Sequence, residues 1–173
     1  MTMPAAEPVA VLVGPPGAGK STIGRRLARA LSVDMVDTDT LIADRFGKPC
    51  GDVFSELGEP EFRQLEAECV AEALKSSGVV SLGGGAVLNE DTRHLLDAHQ
   101  VIWLDVSAEE GLERTAGGHR PVLDAADKEA HYRQLLEQRN PLYREVASFR
   151  AKTDARTPQQ VVAEVLSYLE THT

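Results

Sequence analysis

PVAVLVGPPGAGKST, residues 8–22, is the stretch on which the fold turns. Its first six residues form a short apolar, β-branched run that predicts a strand buried on both faces and stopped at Gly14. The next eight, Gly14-Pro15-Pro16-Gly17-Ala18-Gly19-Lys20-Ser21, fit G-x-x-x-x-G-K-[ST] in full. A helix is predicted over Lys20–Leu31, where Ile23, Leu27, Ala30 and Leu31 recur at helical spacing. Strand, glycine loop and helix start is the order in which backbone N–H groups turn inward around phosphates, with the positive end of a helix dipole behind them. Gly17, Ala18, Gly19, Lys20, Ser21 and Thr22 are therefore the candidate nucleotide-binding residues. Lys20 is placed to reach the β- and γ-phosphates, and the Ser21 hydroxyl to ligate Mg²⁺. A glycine turn that only packs a strand on a helix is the plain alternative, and motif and context together argue against it.

Working outward, strands and helices alternate to the end of the chain. Strands are predicted at residues 33–36, 78–82 (GVVSL), 101–106 (VIWLDV) and 149–153, and helices at 40–46, 59–75, 91–98, 127–146 and 158–169. Ser107 is a candidate N-cap, with Glu110 completing a capping box for a helix to Thr115. This alternation predicts an α/β three-layer sandwich, a central five-stranded parallel sheet flanked by helices; the phosphate-loop motif with the chain's compact size suits the P-loop nucleoside-monophosphate-kinase-like kind. Ligands of such sheets sit at the carboxyl ends of the strands, so the loops after the strands hold the candidates.

The composition narrows the class. The 173 residues match a single domain, 1–173, and 42% hydrophobic residues suffice for a core. A net charge of −9 argues against nucleic-acid binding through bulk positive charge. No apolar run approaches the roughly 18 residues of a membrane span, and residues 1–10 lack the pattern of a secretory signal. Cys50 and Cys69 are too few for a disulfide framework; they read as a loop thiol and a core residue of a helix face. The expectation is a cytoplasmic monomer with no nucleic-acid or membrane partner. The five histidines form no metal-ligand spacing, and 13 of the 18 basic residues are Arg, the side chain suited to forked recognition of carboxylates and phosphates. Neither Asn89 nor Asn140 fits a guanine-reading N-K-x-D, which argues against a GTPase; a transport ATPase domain would be longer. The size suits a compact small-molecule kinase.

Asp37-Thr38-Asp39 follows the second predicted strand. It reads either as a helix cap or as two functional carboxylates beside the phosphate loop. In the second reading Asp37 holds Mg²⁺ through water, and Asp39 binds substrate hydroxyls and accepts the proton of the attacking one. Asp105, ending VIWLDV, is a rival metal carboxylate, read here as structural. Arg63 and Glu66, three apart on a helix, share a face: a surface ion pair, or a glutamate aiming an arginine at a substrate carboxylate. Gly83-Gly84-Gly85 is a bare turn or a backbone that a ligand approaches closely. Residues 116–126 have the composition of a lid, with Arg120 placed to swing over the phosphates as charge develops.

Taken in order, GPPGAGKSTIGRRLA, VDTDTLIADRFG, EFRQLE, SLGGGAVL, the Arg120-Pro121 pair and QRNPLYRE resemble the shikimate kinase family over about residues 8–170. The resemblance implies transfer of the ATP γ-phosphoryl group to the 3-hydroxyl of shikimate, with Mg²⁺ as cofactor and Lys20, Asp39 and Arg120 as catalytic residues. It implies a substrate region over about 37–66, Asp39, Arg63, Glu66, Gly83, Gly84, Gly85 and Arg139 as shikimate ligands, and Arg114 and Arg156 against the adenine. Arg139 rests on the family pattern alone. The alternatives are a kinase for another hydroxylated acid such as gluconate, a nucleoside monophosphate kinase, and an NTP-binding regulatory module.

Overall fold

A computed structural model describes residues 6–115 and 125–172. Five strands, β1 (Ala10–Val13), β2 (Met35–Asp37), β3 (Val79–Ser81), β4 (Val101–Asp105) and β5 (Phe149–Lys152), form one all-parallel sheet in the order β2-β3-β1-β4-β5. The helices are α1 (Lys20–Leu31), α2 (Thr38–Phe46), α3 (Cys50–Leu57), α4 (Glu59–Ala73), α5 (Glu90–Leu96), α6 (Ala108–Thr115), α7 (Ala125–Val146) and α8 (Pro158–Thr171).

The sheet is buried on both faces, which is why its strands read as apolar runs rather than alternations. Successive residues of β1 point to opposite sides. Ala10 and Leu12 pack with Ile23 and Leu27 of α1 and Val161 and Val165 of α8. Val11 and Val13 pack with Val70 of α4, Leu96 of α5 and Tyr143 of α7. The result is the expected three-layer sandwich. A satellite core of Ile42, Val53, Phe62 and Cys69 joins α2, α3 and α4 beside the sheet.

Most predicted elements stand within two residues of their places, with three corrections. Residues 50–57 form α3, so Cys50 opens a helix rather than lying in a loop. Thr38 and Asp39 belong to α2, which begins two residues earlier than predicted because Asp37 caps it, its Oδ1 accepting from the N–H groups of Asp39 (2.8 Å) and Thr40 (3.3 Å). The capping box at α6 is only half made. Ser107 Oγ accepts from Glu110 N at 3.2 Å, but the Ser107 N–H donates to Asp154 Oδ1 (2.9 Å) and the Glu110 carboxylate is held by Arg114 and Ala155 N. A complete box caps α8 instead, from Thr157 and Gln160. Among the described residues no helix is long and apolar enough to cross a membrane. Arg120 and residues 116–124 of the expected lid lie outside the described residues, and the last two, Ala125 and Ala126, open α7.

Candidate active site

The carboxyl ends of β1, β2 and β3 are neighbours in the sheet, and three loops converge there. The phosphate loop after β1 needs glycine at position 17 on two counts: φ is +85°, and a Cβ would overlap the Gly111 carbonyl and lie 3.0 Å from Thr115 Cγ2 of α6. The Lys20 ammonium donates to the carbonyls of Gly14 (2.7 Å) and Pro15 (3.1 Å). Burial pulls its pKa down from 10.5 to about 8, against the attraction of Asp39 and Asp37. Both carboxylates of the Asp37-Thr38-Asp39 segment are therefore within electrostatic reach of the lysine.

Asp37 uses one oxygen, Oδ1, as the α2 cap. Asp39, at the first turn of α2, is an exposed residue whose carboxyl is hemmed in by the Cys50 thiol and the Gly83 turn. Desolvation there and repulsion from Asp37 push its pKa up; Lys20, the Cys50 thiol and Arg63 oppose the rise. Thr38, fully buried between the two, accepts from the Gly83 N–H at 2.9 Å and so pins the turn after β3 to the start of α2.

That turn is lined closely. A Cβ on Gly83 would stand 2.5 Å from Asp39 Oδ1 and 2.9 Å from Glu66 Oε2, and one on Gly85 would stand 2.5 Å from Arg63 Cζ. The absence of side chains is thus a packing requirement at this turn. Arg63 and Glu66 form the expected pair, Nη1 to Oε1 at 2.7 Å, and it is no surface pair, since Glu66 is only 2% exposed. Burial raises the Glu66 pKa, and the Arg63 charge and hydrogen bond work against that rise. Phe54 and Phe62, edge to face at 5.1 Å, back the guanidinium at 5.7 and 5.4 Å. Among the described residues Arg63 Nε is buried without a hydrogen-bond partner, as is Arg139 Nε. Arg139, on α7, reaches the same turn, its Nη1 3.4 Å from where a Cβ of Gly84 would be.

On the other side of the phosphate loop, Arg114 and Arg156 border one cleft of about 360 Å³ with Ala18, Gly19 and Thr22. Arg114 donates to Gly17 O (3.1 Å) and Thr153 O (3.3 Å), and Arg156 to Lys152 O (2.9 Å). Asp105 is held by Arg150, whose Nε donates at 2.8 Å; that pairing suits a structural carboxylate rather than a metal ligand. Ser21 and Asp37 offer hard oxygen donors, and among the described residues no group of three or more His, Cys, Asp or Glu is placed to hold a metal ion. Such a sparse set suits Mg²⁺, which keeps its water and takes few protein carboxylates.

Sequence reasoning missed Thr38, Tyr132, Tyr143 and Cys50 as neighbours of the site. The Cys50 thiol donates to Asp39 Oδ1 at 3.6 Å; its signal was available, because Cys50, Val53, Phe54 and Leu57 recur at helical spacing. Burial and the nearby carboxylate push its pKa up from 9.0 to about 12. Three units remove thiolate a thousandfold, and the greater nucleophilicity of a more basic thiolate restores part of that. Iodoacetamide at pH 8 should therefore alkylate Cys50 roughly 30-fold or more slowly than a small-molecule thiol. Reaction at the free-thiol rate, followed by peptide mass spectrometry, would remove the thiol–carboxylate contact.

Comparison with known proteins agrees with this geometry. The family model described as shikimate kinase matches residues 16–170. The chain is 66% identical to the shikimate kinase of Corynebacterium efficiens over 166 residues, 95% of this chain and 98% of that protein. A shikimate kinase from Acinetobacter baumannii, solved in complex with shikimate, superposes with a TM-score of 0.88 at 32% identity, covering 97% of this chain and 95% of that one. A gluconokinase from Sinorhizobium meliloti, at 18% identity and a TM-score of 0.62 over 96% of this chain and 93% of that one, shares the fold alone. With a buried Arg–Glu pair and a glycine turn facing a phosphate loop, and with those identities across nearly its whole length, the chain belongs to the shikimate kinase family, and its activity is the ATP-dependent phosphorylation of shikimate.

Proposed function

We propose that the γ-phosphoryl group is passed to the 3-hydroxyl of shikimate, giving shikimate 3-phosphate and ADP, by residues held at the carboxyl ends of β1, β2 and β3. The observation that carries this reading is the juxtaposition of Lys20, Asp39, the Arg63–Glu66 pair and Arg139 around one glycine turn. An anionic triol needs a carboxylate grip and hydroxyl acceptors, and this set supplies both. Residues 37–66 form the substrate-binding region of a single kinase domain, and residues 116–126 its lid.

In this reading Arg63, aimed by Glu66 and backed by two rings, presents its fork to the shikimate carboxylate with Arg139 opposite. Asp39 accepts the hydroxyls and takes the proton of the attacking oxygen; its raised pKa makes it a better base than an aspartate at its ordinary value. The amides of Gly17, Ala18 and Gly19 and the Lys20 ammonium hold the phosphates, Ser21 and Thr22 open α1 beneath them, and Arg114 and Arg156 flank the adenine. Mg²⁺, held by Ser21 and through water by Asp37, would neutralise charge on the β- and γ-oxygens. Arg120 arrives from the lid to stabilise the transferring group and exclude water.

ADP release assayed in parallel with shikimate, gluconate and AMP tests the assignment. Turnover is expected with shikimate alone; preferential turnover of gluconate or AMP, or ATP binding without any turnover, would overturn it. Arg63→Ala should raise the KM for shikimate about 30- to 100-fold, the scale of a lost charge-assisted pair, and change the KM for ATP less than threefold. An ATP effect larger than the shikimate effect would reject the carboxylate grip.

A further inference from the structure

Helix α7 carries more of the site than Arg139. Tyr132 and Tyr143 lie eleven residues apart, very nearly three turns, and Arg139 is seven residues beyond the first, so all three share one face. The Tyr132 hydroxyl donates to Pro16 O, at the crest of the phosphate loop, at 2.6 Å. The Tyr143 hydroxyl donates to Gly84 O, in the middle of the glycine turn, at 2.6 Å. Both rings are buried, Tyr143 completely and Tyr132 at 6% exposure. A Cβ on Gly111 would overlap the Tyr132 hydroxyl, and one on Gly84 would stand 3.1 Å from Pro16 Cδ and 3.4 Å from Gly14 O. The two glycine loops therefore abut, and α7, which carries Pro141 between Arg139 and Tyr143, reaches the main chain of both from the same side.

We propose that Tyr132 and Tyr143 are positioning residues, the phenol of Tyr132 setting the phosphate loop and that of Tyr143 the glycine turn, so that α7 fixes the separation between phosphoryl donor and acceptor hydroxyl. Each hydroxyl satisfies a loop carbonyl, adding to the tethers that Lys20 and Arg114 make to the phosphate loop and Thr38 to the glycine turn. Desolvation pushes both phenols above their usual range, Tyr132 to about 12, so they remain donors at any working pH. A loop carbonyl released from its donor lets the loop drift, and misplacement of reacting groups by an ångström is enough to cost turnover.

The proposal rests on the assignment of ATP to the phosphate loop and shikimate to the glycine turn. Tyr132→Phe and Tyr143→Phe keep the rings and remove only the donors. Steady-state kinetics should show Tyr132→Phe raising the KM for ATP about 5- to 20-fold with the KM for shikimate within twofold. Tyr143→Phe should show the reverse split, and both should lower kcat. A lower melting temperature with kcat and both KM values within twofold of wild type would make the tyrosines merely structural, and overturn the proposal. So would an inverted split. If Tyr143→Phe does not fold, the split in Tyr132→Phe decides alone. Wild-type protein inactive on shikimate would instead sink the underlying assignment.

Discussion

Asp39→Asn is expected to lower kcat about 10³-fold, within the range a positioned general base supplies, while the KM for shikimate moves only a few fold. The amide keeps the shape of the carboxylate, and its oxygen still accepts a hydroxyl. What it loses is the ability to take a proton as the oxygen attacks. The environment supports this division. Asp39 stands among Asp37, Lys20, Cys50 and Arg63, so its carboxyl is a crowded base that the fold does not need for packing. The melting temperature of Asp39→Asn should accordingly be no lower than that of wild type. Coupled ADP release over a range of shikimate concentrations measures both constants. A loss in kcat below tenfold would leave Asp39 as a binding group only, and the proton would have to leave by another route.

Lys20→Met should lower kcat/KM for ATP by about 10³-fold, the order of one preorganised charge lost from the transferring phosphoryl group. Methionine matches the length and apolar stem, so the loop keeps its filling. The effect on stability runs the other way. The folded-state pKa of Lys20, about 8, lies below the 10.5 of an unburied lysine. Charge on this lysine therefore opposes folding at pH 7, and the opposition fades as pH rises through 8 toward 10.5. The variant should melt no lower than wild type at pH 7, despite losing two hydrogen bonds to loop carbonyls. A fall of more than about 5 °C would mean that those bonds outweigh the desolvation. Loss of activity without loss of stability is what a functional, locally unfavourable residue looks like.

The readability of this chain divides by sequence distance. The unit from β1 through the phosphate loop to α1 was legible because every determinant lies within a few residues: a buried run, glycines, and apolar positions at helical spacing. The cap at Asp37 was legible too, although it pulled Thr38 and Asp39 into α2. The pairing of Arg63 with Glu66 followed from a three-residue spacing, but its burial did not, because that depends on a turn about twenty residues further on. Long-range contacts carried no signal at all. Thr38 meets Gly83 across 45 residues, and Tyr132 meets Pro16 across 116. Nothing in the local composition marks either tyrosine as more than a helix-face aromatic. Helix α3 was a different kind of miss: Gly47 and Pro49 read as the end of the preceding helix and Cys50 as a loop thiol, while the spacing of the apolar residues pointed to a helix.

The strand order has a consequence for how the enzyme is made. β2 pairs with β3 alone, and β3 in turn lies between it and β1. A nascent polypeptide that ends before Val79 holds the phosphate loop and both aspartates yet has no partner for its second strand, and Thr38 has no Gly83 to hold. On the ribosome, acceptor-site geometry must therefore wait for mid-chain synthesis, and the first half of the molecule emerges with apolar edges exposed to chaperones.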